Sequence, residues 1–296
     1  MDIVQSGILE EETQLARYIT FAVSNNENII QTLKNLADII DTSTCVIGMG
    51  KNILNKINCN VPELRTMPTY SVGDLEIPST PDDLWVWLRG NDRGKLFHQT
   101  RKIEEICLPA FEITSAIDSF QYDQNRDLSG YEDGTENPHG EDAINAAILL
   151  EGDNGIIGSS FVAVQQWVHD FEILDEMSVE EKDDAIGRHI SDNEEYDAPT
   201  SAHVKRSAQE DFDPEAFMLR RSLPWAMGMD GGLMFVAFGN SFDAFEAIME
   251  RMVGEDDSIV DALFKFTTPI TGSYYWCPPV KNGKLNLSAL GSNFTK

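Results

Sequence analysis

The sequence of 296 residues lacks the features that identify membrane and nucleic-acid-binding proteins. No stretch approaches the roughly 18 consecutive apolar residues of a membrane-spanning helix. Basic residues are few: 22 lysines and arginines stand against 50 aspartates and glutamates, for a formal net charge of -28. Nucleic acids and anionic membranes both bind basic surfaces, so we predict neither as a partner.

Cysteine is also scarce, and its spacing excludes the usual cysteine frameworks. Cys45, Cys59, Cys107 and Cys277 form no CxxC pair, which indicates neither a zinc site nor a disulfide scaffold. The opening residues, MDIVQSGILEEETQLARYIT, contain neither the basic nor the apolar region of a secretory signal. We therefore predict a cytoplasmic protein with reduced thiols.

Common catalytic motifs are missing as well. The sequence contains no P-loop, no spaced-glycine dinucleotide fingerprint, no GxSxG and no HExxH. No histidine is paired with another histidine or a cysteine at ligand spacing, which excludes a compact zinc motif. A metal held through a single protein ligand, as in many haem proteins, remains open. The candidate ligands are His98, His139, His169, His189 and His203.

What the sequence does contain is a repeated order of strands and helices. Apolar stretches predict strands, and apolar residues at helical spacing predict helices after residues 28, 95 and 241. A loop is predicted where four prolines fall within residues 62–81, and a helix in the acidic residues 171–187. The predicted strands are 16–23, 44–50, 83–90, 111–120, 159–170, 216–227 and 231–241. We predict an α+β fold of two ferredoxin-like halves in tandem, residues 1–145 and 146–296.

A polar segment, SGYEDGTENPHG at residues 129–140, lies near the junction of these halves. Asp133-Gly134 favours a tight turn because glycine readily adopts positive φ. Asn137-Pro138 marks a loop boundary. From these residues alone, the segment is a turn.

Several segments in order resemble the dye-decolorising peroxidases, haem enzymes built from two ferredoxin-like halves. GYEDGTENP resembles the GxxDG signature of that family, and the full match runs from about residue 10 to 280. The compact length resembles the bacterial cytoplasmic subgroup. The other matching segments are DLWVWLRGNDRGKLF, GSSFVAVQQWVHDFEILDEMSVEEKDDAIGR, APTSAHVKR, LRRSLPWA and DALFKFTTPITGSYYWCPP.

The resemblance implies a role for individual residues. His203 would ligate the haem iron, and Asp261 would accept a hydrogen bond from its other ring nitrogen. On the opposite, distal side, Asp133 would move a proton and Arg220 would stabilise negative charge during O–O cleavage. Ser222 falls where some relatives carry a distal asparagine.

Three further residues complete the implied site. Arg188 resembles an arginine that meets a haem propionate, and Gly134 and Thr135 belong to the GxxDG segment that faces the cofactor. Two alternatives stay open: Asp261 as an exposed helix acid, and Arg188 as a surface arginine beside acidic residues 180–184. Strand alternation would turn Arg221 away from the site.

The implied function is a peroxidase with haem b (iron protoporphyrin IX) that reduces hydrogen peroxide and oxidises dyes or phenols. A homo-oligomer is expected. One rival is a haem-binding or iron-handling protein that uses the same pocket for storage, delivery or sensing; another is a ferredoxin-like interaction domain without cofactor. Bulky donors would act through aromatic side chains, with Tyr70, Tyr122, Tyr131, Trp225, Tyr274 and Trp276 as candidates.

The segment LNLSAL near the C-terminus resembles the short apolar extension by which some relatives enter protein shells. The alternatives are a last strand or a frayed terminus.

Overall fold

The computed structural model describes residues 3–73, 75–153 and 155–294. The helices are α1 (Ile29–Ile39), α2 (Lys51–Lys56), α3 (Arg93–Cys107), α4 (Gly140–Ala147), α5 (Phe171–Glu176), α6 (Val179–Ile186), α7 (His203–Ser207) and α8 (Asp243–Val253). The strands are β1 (Leu15–Val23), β2 (Cys45–Met49), β3 (Tyr70–Val72), β4 (Leu75–Ile77), β5 (Leu84–Gly90), β6 (Phe111–Phe120), β7 (Ser160–His169), β8 (Leu219–Arg220), β9 (Leu223–Met227), β10 (Asp230–Gly239), β11 (Thr267–Pro269), β12 (Ser273–Cys277), β13 (Val280–Lys281) and β14 (Lys284–Leu285).

Within the described ranges, eight strands close into an antiparallel barrel. Their order is β7-β12-β2-β5-β1-β6-β9-β10, and β10 pairs back with β7. Strands from the two predicted halves meet twice, where Met49 pairs with Trp276 and Ser119 with Trp225. The predicted α+β class is confirmed, while the division between residues 145 and 146 stays a prediction.

Strand β5 shows why some of the barrel strands lack a polar face. Its alternate residues Trp85 and Trp87 belong to a core formed by side chains from strands all around the barrel, which places them inside it. There they stack with Tyr18 and Tyr275, with Trp85 and Tyr275 ring centroids 5.8 Å apart. The residues between them, such as Val86, join the outer core that also contains the apolar faces of α1 and α3. Because both faces of β5 are buried, its sequence is an almost continuous run of apolar residues.

Most predicted elements lie where the sequence placed them, but the predicted strand 216–227 is interrupted. The N–H of Val236 donates to the hydroxyl of Ser222 (3.3 Å), so a side chain occupies a position in the backbone ladder between β8 and β9. The predicted helix 171–187 is likewise divided. Ser178 and Glu181 form a capping box that starts α6 as a separate helix.

Other differences are additions to the predicted fold. The proline-rich residues 62–81 contain the hairpin β3–β4, and the short helices α2 and α4 were not predicted. Within the described residues, the four cysteines are free, as predicted. No helix there is both long and apolar enough to cross a lipid bilayer.

The LNLSAL segment packs against the body of the protein. Leu285, Leu287 and Leu290 are buried, and the Cys59 thiol donates to the carbonyl of Leu290. The segment begins at Leu285, the last residue of β14, and ends in a 3-10 helix, Ser288–Leu290, so its residues have defined secondary structure.

Leu33→Ala should lower the free energy of unfolding by about 2–5 kcal/mol, because it leaves a cavity in the outer core between α1 and the barrel. Ile39→Ala is the matched control on the same helix: Ile39 is 55% exposed, and its truncation should change stability by no more than about 0.5 kcal/mol. Urea denaturation followed by far-UV circular dichroism measures both. Equal losses in the two variants would contradict this account of the core.

Candidate functional site

A cavity of about 310 Å³ lies on the outer face of the barrel, with walls formed by β7, β10, α7, α8 and residues 127–136. Such a mostly apolar pocket with a few polar groups is typical of a cofactor or ligand site. Its apolar lining includes Met218, Leu233, Phe235, Phe245, Ile248, Met249, Met252 and Leu263.

His203 enters this cavity from the first residue of α7. Its Nδ1 lies 2.7 Å from Oδ2 of Asp261, and the other Asp261 oxygen accepts from the Leu263 N–H at 2.8 Å. Asp261 is only 1% exposed, which excludes the alternative of an exposed helix acid. The Nε2 atom of His203 has no hydrogen-bond partner among the residues that the structure describes. The ring is therefore oriented from one side and available from the other.

His169 lines the same cavity, but both of its ring nitrogens are already used. Nδ1 lies 2.7 Å from the Thr267 hydroxyl, and Nε2 lies 2.9 Å from the carboxylate of Asp127. His203 therefore has a ring nitrogen without a partner and His169 does not, a distinction that residue spacing could not make. Among the residues that the structure describes, no three or more His, Cys, Asp or Glu side chains are grouped so that they could hold a metal ion.

The segment 129–140 forms the predicted tight turn. Gly134 has φ +81°, and the N–H of Asn137 donates to the Gly134 carbonyl at 3.0 Å. Asp133 is held at its backbone, where its N–H donates to the carbonyl of Asn125 at 3.0 Å. The turn thus presents the Asp133 side chain to the cavity.

The side-chain amide of Asn137 connects this turn to β8. Its Nδ2 donates to the Arg220 carbonyl (3.0 Å), and its Oδ1 accepts from the Arg220 N–H (2.8 Å). As a result, Nη1 of Arg220 lies 3.3 Å from Oδ1 of Asp133. The buried Nε of Arg220 has no hydrogen-bond partner among the described residues. Sequence reasoning missed Asn137, because an asparagine before a proline was interpreted only as a loop boundary.

Arg221 does not line this cavity, as strand alternation predicted. Its guanidinium donates to the carbonyls of Ile8 and Leu9 in the N-terminal segment. These bonds connect that segment to the strand that carries Arg220.

The remaining predicted residues occupy the edges of the site. Arg188 lines the cavity and pairs with Glu136 at 2.9 Å and with Glu195. Thr135 also lines it, and its hydroxyl accepts from Asn193 at 3.1 Å. The roles predicted for these residues stay predictions.

A second cavity, of about 390 Å³, meets the first at Asp133 and Arg220. Ser222 lies on this second cavity, as does Glu12 from the segment before β1. Burial, followed by the nearby charge of Asp133, raises the pKa of Glu12 to about 7. Nothing in the sequence around Glu12 distinguished it from the acids beside it.

The pair of Asp127 and His169 supports the base of the turn. The Asp127 N–H donates to the Tyr131 carbonyl at 2.8 Å, and its side chain accepts from the Ser129 N–H at 2.9 Å. Burial alone would raise the pKa of Asp127, but the hydrogen bonds from His169 and Ser129 outweigh it and hold the pKa below its usual value. The turn therefore rests on a buried, ionised carboxylate.

Comparison with known proteins gives a consistent result. The family model described as "Dyp-type peroxidase, C-terminal" matches residues 124–282. The dye-decolorizing peroxidase of Mycobacterium tuberculosis is 30% identical over 210 residues, which cover 69% of this chain and 63% of the relative. The chain thus spans less than two thirds of that relative's length. The dye-decolorizing peroxidase of Brevibacterium linens is 27% identical over 248 residues, covering 80% of this chain and 67% of the relative.

Solved structures show the same similarity along most of the chain. A dye-decolorizing protein from V. cholerae superposes with a TM-score of 0.83 at 28% identity, covering 92% of this chain and 96% of that one. A DypB variant from Rhodococcus jostii RHA1 in complex with haem gives a TM-score of 0.82 at 24% identity, with 91% and 94% covered.

Asp127→Asn should lower the free energy of unfolding at pH 7 by about 1–3 kcal/mol, because His169 and the Ser129 N–H lose an ionised acceptor. A carboxylate with a depressed pKa stabilises the fold above its unfolded pKa, near 4, and this stabilisation disappears as the pH falls through the folded pKa. The difference from the parent should therefore narrow between pH 7 and pH 3. Urea denaturation across this range measures it.

Asp175→Asn, at an exposed position of α5, is the charge-matched control for this experiment. It should leave stability nearly unchanged across the same pH range. A loss in Asp127→Asn of the same size at pH 3 and pH 7 would contradict the assignment of an ionised Asp127.

Proposed function

Because the chain belongs to the Dyp-type peroxidase family, we propose that it is a haem-dependent peroxidase that reduces hydrogen peroxide with electrons from dyes or phenolic donors. One observation carries the proposal: His203, with one ring nitrogen free, lines the same cavity as the paired side chains of Asp133 and Arg220. A ligand nitrogen and a proton-transfer group around one apolar cavity are what this reaction requires.

The cavity fits haem b by the chemistry of its donors. The apolar lining would suit the porphyrin faces, and the Nε2 of His203 would hold the iron. The DypB structure from Rhodococcus jostii is a haem complex, which supports the same cofactor for this chain. When bound, haem supplies the electron-transfer chemistry with peroxide that amino-acid side chains lack.

Asp133 and Arg220 would act on peroxide from the distal side. The Asp133 carboxylate would take a proton from one peroxide oxygen and return it to the other. The Arg220 guanidinium would stabilise the negative charge that develops as the O–O bond breaks, and its unpartnered Nε is a further donor for that purpose. The Asn137 bonds to the Arg220 backbone would keep these two groups in register.

Asp261 would act through His203. Its hydrogen bond to Nδ1 fixes the ring and would increase the basicity of Nε2, the nitrogen that would hold the iron. Because Asp261 also caps a 3-10 helix, Ala262–Lys265, its carboxylate is itself held in place.

The other site residues would have supporting roles. Arg188 would meet a haem propionate, which would replace Glu136 or Glu195 as its partner. Gly134 and Thr135 would form the wall beside the haem. The Ser222 hydroxyl accepts from Val236 and keeps its own proton, so it would donate to water or peroxide in the second cavity.

We further propose a cytoplasmic homo-oligomer that needs neither nucleic acid nor a membrane. If the LNLSAL segment loaded this protein into a protein shell, Leu285, Leu287 and Leu290 would have to leave their buried positions. Light scattering of the purified protein measures the oligomeric state.

The haem-reconstituted protein should show a Soret band, and His203→Ala should weaken or shift it because the axial ligand is lost. His98→Ala is the matched control, since His98 is an exposed residue of α3 and lies outside the cavity. Visible absorption spectra measure these changes. An unchanged band in His203→Ala would contradict the ligand assignment.

Asp133→Asn should keep the Soret band but slow the spectral change with one equivalent of peroxide by about 10²–10⁴-fold, because the proton acceptor is lost. Stopped-flow absorption measures the rate. If the parent protein binds haem but does not react with peroxide, the haem-carrier function replaces the peroxidase. If it takes up no haem, both are wrong.

Tyr122→Phe should lower turnover of a bulky dye several-fold while leaving the reaction with peroxide unchanged. Tyr122 is 42% exposed, whereas the other five aromatic candidates are buried. A dye too large for the cavity would have to donate its electron at such an exposed ring. Tyr274→Phe, at a buried ring, is the control; an unchanged dye rate in Tyr122→Phe would eliminate this residue as a relay.

A further inference from the structure

The second cavity reaches the distal residues from the N-terminal part of the chain. It shares Asp133 and Arg220 with the first cavity, which His203 lines, and it is also lined by Glu12, which precedes β1. At about 390 Å³ it is several times larger than the roughly 30 Å³ that one water occupies in the liquid. Glu12 lies outside residues 124–282, which the family model matches.

The reaction proposed above needs protons from solvent. Reduction of one hydrogen peroxide to two waters consumes two electrons and two protons. The electrons come from dye or phenolic donors, and donors oxidised at the protein surface release their protons there. Two protons per turnover must therefore reach the site by another route. Asp133 moves a proton between peroxide oxygens, so it is the group that an incoming proton would meet.

We propose that Glu12 supplies these protons to Asp133 through the second cavity, an inference that rests on the peroxidase function proposed above. In each transfer the Glu12 carboxyl group loses a proton and the Asp133 carboxylate gains one, with water between them as carrier. The Glu12 carboxylate then takes a proton from solvent. No bond between heavy atoms changes, and charge is conserved at each step. Glu12 acts through Asp133 and does not contact peroxide.

The charges around Glu12 suit this role. Burial has the largest effect on the pKa of Glu12, and the charge of Asp133 raises it further. Arg221, Arg89 and Arg220 lower it, and the resulting pKa is about 7. An ordinary glutamate, with a pKa near 4.3, would hold almost no protons at neutral pH, whereas Glu12 exchanges them readily there. The other titratable groups facing it are Tyr18 from β1 and, around the second cavity, Glu11, Tyr122 and His139.

The first test uses the haem-free full chain and measures no activity. The side-chain carboxyl carbon of Glu12, assigned through bonds from its own backbone amide, is titrated by ¹³C NMR. The expected midpoint is about 7 in the parent. It should be lower in Asp133→Asn, because the negative charge that raises it is removed. A midpoint near 4.3, or one that does not move in Asp133→Asn, would overturn the proposal.

The second test uses the haem-loaded enzyme. Glu12→Gln should lower steady-state turnover with a small phenolic donor at least tenfold at pH 6. It should also remove the change in turnover with pH that the parent shows near pH 7. Glu12→Asp, which keeps a carboxyl group, should restore part of both. Glu27→Gln changes the net charge equally at an exposed position before α1 and should match the parent.

The outcomes separate this proposal from the peroxidase function. A parent that reacts with peroxide, together with a Glu12→Gln variant that keeps the parent pH profile, would overturn the role of Glu12 alone. A parent that binds haem without reacting with peroxide would overturn both. If Glu12→Gln does not fold, the NMR titration of the parent and of Asp133→Asn still shows whether the Glu12 carboxyl group interacts with Asp133.

Discussion

The two hydrogen bonds between the Asn137 amide and the Arg220 backbone hold the Asp133 side of the site together. They fasten a turn, which is free to adopt other conformations in isolation, to a strand of a closed barrel. The Asp133 and Arg220 side chains then face each other without depending on their own ion pair, which at partial exposure contributes little stability. On the other side of the cavity, Asp261 holds His203 in the same way, through a buried carboxylate fixed at the start of a short helix. Each functional side chain is therefore held by a polar neighbour rather than by apolar packing alone.

Because the barrel is closed, the positions of the site residues depend on both ends of the chain. All residues that line the first cavity lie between Asp127 and Thr267 in the sequence. The strand that carries Arg220 is nevertheless connected to the N-terminal segment, because Arg221 donates to the carbonyls of Ile8 and Leu9. Because β2 pairs with β12 and β6 with β9, strands from both ends of the sequence complete one closed sheet. The N-terminal segment consequently belongs to the surroundings of Asp133 and Arg220, although it lies outside the residues that the family model matches.

The sequence predicted the barrel strands well where both faces are buried, as in β5 and β7, because an unbroken apolar run leaves little choice of structure. It failed between β8 and β9, where the hydroxyl of Ser222 enters the backbone ladder, and no periodicity signals such a substitution. The GxxDG turn and its neighbours were identified through family resemblance, whereas composition alone gave only a turn. Asn137 and Glu12 were missed for a physical reason: the importance of each comes from partners 83 or more residues away in sequence, which a local pattern does not contain.

The stacked rings inside the barrel give the protein an internal optical reporter. Tyr18, Trp85, Trp87 and Tyr275 come from three different strands and lie with centroids 5.8–6.4 Å apart, in nearly parallel planes. Chromophores at such distances and fixed angles couple their electronic transitions, and the coupling vanishes when the strands separate. The contribution of these four rings to the near-ultraviolet dichroism therefore reports closure of the barrel itself.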